Sequence, residues 1–376
     1  MVNPNNVTER LFRSPSKYVQ GPYAIQNAAK YLTPLGKAPL LICDDVVWGI
    51  AGKDLVSALE KAAFKVHRAV FGGEATREEV DRISTLARDA ASDFVIALGG
   101  GKTIDTAKTV AATLGLQVAV LPTTASTDAP CSAIAVLYRP EGVYDCYRLF
   151  DSNPAIVLVD TTVVARAPPR FLAAGMGDAL ATNVEARACR TSTNCAGGLQ
   201  TEACRAVCER CEEVLFRYGR QAYEANKAGV VTPALEAVVE ANTLLSGLGF
   251  ESGGVAAAHA IHNGMTAIEE LHGLLHGEKV AFGTVCQLVL DGVPASELDG
   301  YIDFLLSVDL PVTFELLGIP NVKDEELRRV AELACAEGET VWAMDRVINV
   351  DIVLGAMKGA DAAGRDYMRR KGWKRD

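Results

Sequence analysis

Histidine is scarce in this chain and concentrated in one segment. Four of the five histidines lie within 18 residues of each other, namely His259, His262, His272 and His276, and the fifth, His67, is far away. Neutral imidazole is a common ligand for zinc, iron and related metals. The cluster therefore indicates a metal site.

The spacing of the histidines suggests how they would act together. His259 and His262 are three residues apart within a predicted helix over Gly254–Glu269, so they share one face of it. His276 follows a predicted turn near Gly273 and precedes another helical segment. A metal site takes ligands from more than one element, and this arrangement supplies two.

An acidic ligand is also expected, and Asp178 is the best candidate. It lies between small residues in an apolar stretch, AAGMGDALATNVEA. A carboxylate buried there without a partner would cost several kcal/mol, so its burial implies a ligand or an ion pair. The alternative is that Asp178 caps the N-terminus of a helix after Gly177.

A second motif, DFVIALGGGKTIDTAK, spans residues 93–108. Its three glycines stand between a short apolar run and a helical segment that begins at Lys102. Such a turn brings backbone N–H groups close to a phosphate at the positive end of a helix. It is neither a P-loop nor G-x-G-x-x-G, because Ile96 and Ile104 occupy glycine positions of those motifs. A glycine turn without any ligand is the alternative.

Short apolar runs alternate with helical segments in the first part of the chain, which is typical of an open parallel α/β sheet. From Pro168 onward helical segments dominate. We therefore predict a Rossmann-like α/β domain over residues 1–165 and an all-α domain over residues 166–376. The predicted strands are Pro39–Cys43, Val66–Phe71, Phe94–Leu98, Val118–Leu121 and Ile156–Val159. The predicted helices include Lys53–Ala63, Arg77–Ala91, Pro169–Cys189, Leu199–Tyr218, Pro233–Ser246, Gly254–Glu269 and Lys279–Leu290.

Two acidic residues, Asp44 and Asp45, directly follow the first predicted strand. A carboxylate at the end of such a strand can bind ribose hydroxyls and repels a 2′-phosphate. This position favours NAD over NADP. The alternative is a solvated acid without a ligand.

Composition excludes several classes of function. The chain has 376 residues and a net charge of −10 without a long basic run, which argues against nucleic-acid binding. It has no run of 18 apolar residues that could cross a membrane. Its N-terminal segment is polar and lacks the apolar core of a signal peptide. The 10 cysteines therefore indicate reduced thiols and a cytoplasmic location.

Three of these cysteines, Cys204, Cys208 and Cys211, have the C-x3-C-x2-C spacing of radical iron–sulfur enzymes. The ligands of such a cluster lie in a loop, whereas the surrounding sequence here is strongly helical. Positions i, i+4 and i+7 share one face of a helix. We therefore interpret the three thiols as buried core residues.

The chain resembles the iron-containing alcohol dehydrogenase superfamily, and within it the zinc-dependent glycerol dehydrogenases of bacteria. The motifs that carry the resemblance extend through nearly the whole chain: LGGGKTIDTAK, PTTASTDAPCSAIAVLY, VDTTVVARAPPRFLAAGMGDALAT, GFESGGVAAAHAIHNG and HGEKVAFG. The resemblance implies an N-terminal Rossmann-like domain, an all-α C-terminal domain and an active site in the cleft between them.

The resemblance also implies the metal ligands, Asp178, His259 and His276. Many iron-using relatives have a further ligand histidine four residues after the aspartate, where this chain has Thr182. This difference favours one Zn²⁺ per subunit, with Fe²⁺ as the less favoured ion, and three protein ligands leave a position open for substrate. His262 is then expected to take part in catalysis, whereas His272 is expected to be structural.

For NAD, the resemblance implies two sets of residues. Gly100, Gly101 and Lys102 would hold the pyrophosphate. Asp105 would lie near the nicotinamide ribose, and Asp44 near the adenosine ribose.

The second set of cofactor residues belongs to the motif PTTASTDAPCSAIAVLY. Thr123 and Ser126 would bracket the adenine side of the cofactor. Ser132, Ile134 and Tyr138 would flank the nicotinamide.

The implied activity is NAD-dependent oxidation of glycerol, and of similar vicinal diols, to dihydroxyacetone by zinc-assisted hydride transfer. Asp128 would accept a hydrogen bond from a substrate hydroxyl, which suits a neutral polyol. The alternatives are a dehydroquinate synthase-like lyase or a glycerol-1-phosphate dehydrogenase, whose phosphorylated substrates call for basic residues, and a non-catalytic NAD sensor. The resemblance further implies a homo-oligomer, with an octamer as the form found in the family.

Overall fold

The computed structural model describes residues 6–140 and 142–373. The first five residues of the polar N-terminal segment lie outside these ranges. Within them, no helix combines the length and the apolar character needed to span a bilayer. The chain forms two compact units. The α/β unit consists of Arg13–Leu172 and Glu224–Gly247, and the helical unit consists of the segments ending at Phe12, from Ala173 to Tyr223 and from Leu248 onward.

The α/β unit is built on a parallel sheet of six strands in the order β1-β8-β5-β4-β2-β3. Its strands are β1 (Tyr18–Gly21), β2 (Leu40–Cys43), β3 (His67–Val70), β4 (Phe94–Gly99), β5 (Gln117–Pro122) and β8 (Ile156–Asp160). All five predicted strands are present. The central strands β2, β4 and β8 are buried along their whole length, because the sheet is covered on both faces, and this is why they read as continuous apolar runs.

Two strands of an antiparallel pair complete the unit: β6 (Ile134–Tyr138) and β7 (Tyr144–Leu149). Neither this pair nor the short edge strand β1 was predicted from the sequence. Residues of β6 alternate between buried and half-buried, and β7 is half-buried or exposed. The sequence of β7, YDCYRL, lacks the apolar run that marks the central strands, whereas β6, IAVLY, is itself a short apolar run.

The helices of the α/β unit surround the sheet and connect its strands. They are α1 (Ala28–Leu32), α2 (Asp45–Val47), α3 (Lys53–Lys61), α4 (Arg77–Asp89), α5 (Gly101–Leu114), α6 (Thr161–Ala165) and α9 (Pro233–Glu240). One face of the sheet packs on α1 and α3 through a single apolar cluster. The segments Trp48–Gly52 and Ala241–Leu245 are π-helical turns.

The direction of strand order reverses between β2 and β4, which pair with each other in parallel. In open α/β sheets, ligands bind beyond the carboxyl ends of strands at such a reversal. Asp44 follows β2, and Gly100 follows β4. The topology therefore places the predicted ribose-binding acid and the glycine turn at the ends of adjacent strands.

The helical unit contains most of the remaining helices. They are α7 (Pro169–Ala188), α8 (Glu202–Lys227), α10 (Ser246–Gly253), α11 (Ala257–Met265), α12 (His276–Asp291), α13 (Ala295–Ser307), α14 (Asp324–Ala334) and α15 (Val350–Lys371). The first residues of α7 and α10 and the last residues of α8 belong to the α/β unit. Cys204, Cys208 and Cys211 lie on α8 with no exposed surface, which confirms their interpretation as core thiols.

A single boundary between residues 165 and 166 does not describe these two units, because α9 returns to the α/β unit. Glu236 of α9 accepts a hydrogen bond from Gln20 Nε2 at 2.5 Å and one from Thr161 Oγ1 at 2.6 Å. These bonds attach α9 to β1 and to the start of α6. The order of helices in the sequence does not show which unit a helix packs against, so the place of α9 in the α/β unit could not be predicted.

Within the helical unit, α7 and α12 approach closely at two glycines. A Cβ on Gly177 would lie 2.5 Å from the carbonyl oxygen of Gly277, and a Cβ on Gly277 would overlap the carbonyl oxygen of Ala174. Only glycine permits this approach. Asp178 and His276 are the chain neighbours of these glycines, so the crossing also sets the distance between the two side chains.

We predict that Gly277→Ala destabilises the protein by about 1–3 kcal/mol, the usual cost of forcing atoms into a packed core. The same change should weaken metal binding, because it separates Asp178 from His276. Thermal denaturation and a metal titration would measure the two effects. Gly300→Ala is the matched control: Gly300 lies within α13 and has no atom near its missing Cβ, so this change should be neutral or stabilise by up to ~1 kcal/mol. Equal effects of the two substitutions would contradict the crossing argument.

Candidate functional site

The glycine turn forms the start of α5 in the α/β unit. Gly100 is the N-cap residue of this 14-residue helix, and no described side chain caps it. A Cβ on Gly100 would have only one atom within 4 Å, the hydroxyl of Thr124 at 4.0 Å. The turn therefore presents open backbone N–H groups at the positive end of a helix, which suits a phosphate.

The loop after β5 lies against this turn. The backbone N–H of Thr123 donates to the carbonyl oxygen of Gly99 at 3.1 Å, and Ser126 Oγ lies 3.0 Å from Thr124 Oγ1. Because parallel strands end at the same edge, the fold brings Thr123 and Ser126 beside the glycines, although more than 20 residues separate them in the sequence.

Lys102 and Tyr138 are also neighbours in the structure. The Lys102 ammonium lies 5.7 Å from the centroid of the Tyr138 ring. It also forms an ion pair with Glu74 at 2.6 Å. Half of its side chain is exposed, so the ammonium can also reach a ligand at the edge of the sheet.

A buried lysine that the sequence analysis did not single out holds the loop leading into β6. Lys108 lies two turns along α5 from the glycines, and its ammonium donates to the carbonyl oxygens of Ala129 and Ile134, the latter at 2.9 Å. Its distance from Ser132 Oγ is 3.3 Å. These bonds fix the segment that carries the predicted nicotinamide contacts Ser132 and Ile134. An apolar helix face that contains one lysine is the signal that could have revealed this role.

Asp105 is the acid of α5 that faces the same segment. Its Oδ2 accepts a hydrogen bond from the Val136 N–H at 3.2 Å. Its Oδ1 is buried and has no partner among the described residues. Burial raises the pKa of Asp105 to about 6, although the positive charge of Lys108 and the Val136 N–H lower it. An unpartnered acceptor in a buried carboxylate marks a position where a ligand would donate a hydrogen bond.

Asp44 forms the N-cap of α2, where its Oδ1 accepts from the Val47 N–H at 2.7 Å. The guanidinium of Arg68 donates to the Asp44 carbonyl oxygen at 3.2 Å and pairs with Asp45 at 2.6 Å. It also lies 4.4 Å from the centroid of the Trp48 ring. The carboxylate thus stands at the strand end as predicted, and a cation lies next to it.

Asp128 is buried and precedes a short 3₁₀ turn, Ala129–Cys131. Its Oδ2 accepts a hydrogen bond from Ser246 Oγ at 2.8 Å. Ser246 follows the π-helical turn Ala241–Leu245, and such turns often mark functional sites because they re-aim the helix that follows. A Cβ on Gly247 would lie 2.9 Å from the Asp128 carbonyl oxygen, so a glycine is needed for this approach.

Asp178, His259 and His276 come together in the helical unit. His276 Nε2 is 3.0 Å and His259 Nε2 is 3.4 Å from Asp178 Oδ1. One ligand atom from each residue lies within 4.8 Å of the others. Asp178 stands in the middle of α7, so it is not a helix cap. The three side chains come from α7, α11 and α12, and their donor atoms can hold one metal ion.

The charges of this group depend on each other. Burial raises the pKa of Asp178, but the positive charge of His276 and the hydrogen bonds of both histidines outweigh this effect and lower the pKa far below its ordinary value. Burial lowers the pKa of His259, and the charge and hydrogen bonds of Glu185 and Asp178 raise it well above its ordinary value. The Asp178 carboxylate and the His259 imidazole therefore each favour the charged form of the other.

His262 contacts His276 on the side of the ring that faces away from Asp178. Its Nε2 lies 3.1 Å from His276 Nδ1, and its Nδ1 lies 3.1 Å from Asn263 Oδ1. Asn263 Nδ2 in turn donates to Glu339 Oε2 at 3.1 Å. Burial, followed by the positive charge of His276, lowers the pKa of His262 well below its ordinary value. His262 therefore contacts the ring nitrogen of His276 that faces away from Asp178, and it is not itself grouped with the three candidate metal ligands.

His272 stands apart from the other three histidines of the segment. Its Nε2 faces the carbonyl oxygen of Thr266 at 2.9 Å, where it donates a hydrogen bond. This contact ties down the turn before α12 and supports the expected structural role. Thr182 is buried one turn after Asp178 on α7.

Glu185 is a residue at this site that the sequence analysis missed. It lies on α7 seven residues after Asp178 and has no exposed surface. Its Oε2 is 2.6 Å from His259 Nδ1. The signal for it was a second acid two helical turns from the first, on the same face of an apolar segment.

Comparison with known proteins identifies relatives over nearly the whole chain. A family model described as iron-containing alcohol dehydrogenase matches residues 15–161. Glycerol dehydrogenase of Escherichia coli O6:H1 is 47% identical over 363 residues, which cover 96% of this chain and 99% of that protein. Glycolaldehyde reductase of Halobacterium salinarum is 42% identical and covers 94% of this chain and 98% of its own length. The crystal structure of glycerol dehydrogenase from Schizosaccharomyces pombe superposes with a TM-score of 0.95 at 41% identity, covering 98% of this chain and 94% of that one.

We predict that Asp105→Asn stabilises the ligand-free protein at pH 8. The pKa of Asp105 is about 6 when folded and about 3.9 when unfolded, so the folded state binds a proton between these values and bears a buried charge above them. Two pKa units correspond to about 3 kcal/mol. The gain should therefore be fully present at pH 8, shrink as the pH falls through 6 and vanish near pH 4.

Thermal denaturation at several pH values measures this effect. The control is Asp81→Asn on the exposed side of α4, which should leave the melting temperature nearly unchanged at every pH. A lower melting temperature of Asp105→Asn at pH 8 would show that the buried carboxylate stabilises the fold and is not kept for a ligand.

Proposed function

Because the chain belongs to the iron-containing alcohol dehydrogenase family, and within it to the group of glycerol dehydrogenases, we propose that it oxidises glycerol and similar vicinal diols, with NAD as the hydride acceptor. Oxidation of the secondary hydroxyl of glycerol gives dihydroxyacetone. The observation that carries the proposal is the convergence of Asp178, His259 and His276 on one point of the helical unit.

The metal that we propose for this point is zinc. A carboxylate and two imidazoles form a common zinc donor set that leaves a position open for substrate. The position one turn after Asp178 holds Thr182, whose side chain packs against Gly249 and offers no imidazole for iron. When bound, zinc would lower the pKa of a coordinated hydroxyl, and NAD would accept the hydride.

The cofactor residues of this chain fit a dinucleotide. The N–H groups at the start of α5 suit the pyrophosphate, and the unpartnered Oδ1 of Asp105 suits a ribose hydroxyl or the carboxamide. Lys108 keeps the loop of Ser132 and Ile134 in place. Asp44 at the end of β2 favours NAD, because its carboxylate would repel a 2′-phosphate.

Asp128 is proposed to bind the substrate. Its buried carboxylate is oriented by Ser246 and can accept a hydrogen bond from a neutral hydroxyl. The same charge would repel a phosphorylated substrate, which argues against a dehydroquinate synthase-like lyase and against a glycerol-1-phosphate dehydrogenase. We further propose that the enzyme is a cytoplasmic homo-oligomer, as the family resemblance and the reduced thiols suggest.

The proposed function is tested with purified enzyme depleted of metal by chelation and reloaded with Zn²⁺ or Fe²⁺. NAD reduction is then followed with glycerol, 1,2-propanediol, butanediols and glycerol 1-phosphate, and the reverse reaction with dihydroxyacetone and glycolaldehyde. We expect no activity without metal, the best recovery with Zn²⁺, glycerol among the good substrates and NAD preferred to NADP. Full activity of the metal-free enzyme, or faster turnover of glycerol 1-phosphate than of glycerol, would refute the proposal.

The role of Asp128 is tested with Asp128→Asn, which keeps the shape and removes the charge. A hydrogen bond to a charged group contributes about 1.5–3 kcal/mol, so kcat/KM for glycerol should fall roughly tenfold to a hundredfold. NAD affinity should change little, and a phosphorylated substrate should be tolerated better. Asp151→Asn, at an exposed acid of the same unit, should have no effect. Normal glycerol oxidation by Asp128→Asn would remove this residue from the substrate site.

A further inference from the structure

Glu185 is a buried carboxylate whose contacts all serve one helix. Its Oε1 accepts hydrogen bonds from the N–H groups of Ala256 at 2.8 Å and of His259 at 3.0 Å. Ala256 is the N-cap residue of α11, and His259 lies in its first turn. Glu185 therefore satisfies two of the N–H groups that a helix start leaves unpaired, and its charge faces the positive end of α11.

The other oxygen of Glu185 determines which nitrogen of His259 carries the proton. Oε2 lies 2.6 Å from His259 Nδ1, and a carboxylate without a proton can only accept. Nδ1 must then carry a proton, so the neutral ring, which is the form that binds a metal, has its lone pair on Nε2. That nitrogen is the one that faces Asp178 Oδ1 at 3.4 Å.

We infer that Glu185 is a positioning residue for the metal centre: it holds His259 as the Nδ1–H tautomer and aims Nε2 at the metal. This inference rests on the proposed metal site and adds to it a residue that is not itself a ligand. Histidine ligands of metals are commonly oriented by a carboxylate on the second ring nitrogen.

The position of Glu185 on α7 holds α11, and with it His259, in a fixed orientation relative to Asp178. Asp178 and Glu185 both lie on α7, two turns apart, so one helix supplies the acidic ligand and the acid that orients a histidine ligand. Gln287 of α12 also contacts this helix start, where its Oε1 accepts a hydrogen bond from the Ala258 N–H at 3.0 Å. Rotation of α11 would therefore break several buried hydrogen bonds at once.

The decisive variant is Glu185→Gln, which keeps volume and shape. The glutamine oxygen can accept from the two backbone N–H groups, but its NH₂ group then faces His259 Nδ1 and forces the proton onto Nε2, the ligand atom. In the opposite orientation, the NH₂ group meets two backbone donors. We expect a Zn²⁺ affinity about tenfold to a hundredfold lower, measured by competition with a chromophoric chelator. Glu251→Gln, a change at an equally buried glutamate of α10, should leave the affinity unchanged.

Two further measurements separate positioning from a purely structural role. In ¹⁵N-labelled protein loaded with Zn²⁺, the ring nitrogens of His259 should show the Nδ1–H tautomer in the wild type and its loss in Glu185→Gln. In a His259→Ala background, Glu185→Gln should change Zn²⁺ affinity little, because the ring it orients is absent. This cycle is informative even if the single variant is less stable.

The possible outcomes are distinct. A wild type that fails to bind Zn²⁺ would refute the proposed metal site itself. A wild type that binds Zn²⁺ with a Glu185→Gln variant of equal affinity would refute the positioning role alone. The positioning role would also be refuted by an equal loss of affinity in the His259→Ala background, since Glu185 would then act on the fold and not on the ring.

Discussion

The burial of the Asp178 carboxylate is the constraint on which the helical unit depends. A carboxylate without exposed surface must be compensated by positive charge or by a metal, because its removal from water costs several kcal/mol. The compensation comes from His259 and His276, which lie on two other helices. The close crossing of α7 and α12 at Gly277, and the capping of α11 by Glu185, exist because these helices must meet at one point.

In the α/β unit, the corresponding constraint is the shared edge of parallel strands. The turn after β4, the loop after β5 and the acid after β2 are far apart in the chain and adjacent in the sheet. Asp105 and Lys108 on α5 then hold the antiparallel pair against this edge. A buried carboxylate with an unpartnered oxygen weakens the fold, and such a cost is retained at functional positions. Asp105 thus links the stability of the unit with its proposed role in cofactor binding.

The two histidines that we propose as metal ligands, His259 and His276, are supported in different ways. His259 meets a carboxylate directly, whereas His276 meets neutral His262, and the chain of hydrogen bonds continues through Asn263 to Glu339. In both rings Nδ1 faces the supporting group and Nε2 faces Asp178. The protein therefore presents two lone pairs of fixed direction to one point. Glu185 and His262 thus contribute to the proposed metal site by fixing the orientation of His259 and His276.

The residue pattern alone predicted five strands of the parallel sheet, several of the longer helices and the acids at the strand ends, because these depend on local apolar patterns and on motifs of short range. The family resemblance added Asp178, His259 and His276 as the expected metal ligands. Buried strands are continuous apolar runs, and clustered histidines are recognisable without a fold. Three features became apparent only in the folded chain: the return of α9 to the α/β unit, the pairing of β6 with β7, and the contacts of Glu185 and Lys108. Glu185 and Lys108 bond to residues of other elements, such as His259 and Ile134. Hydrogen bonds between distant elements produce no periodic pattern in the sequence, so they could not be predicted from it.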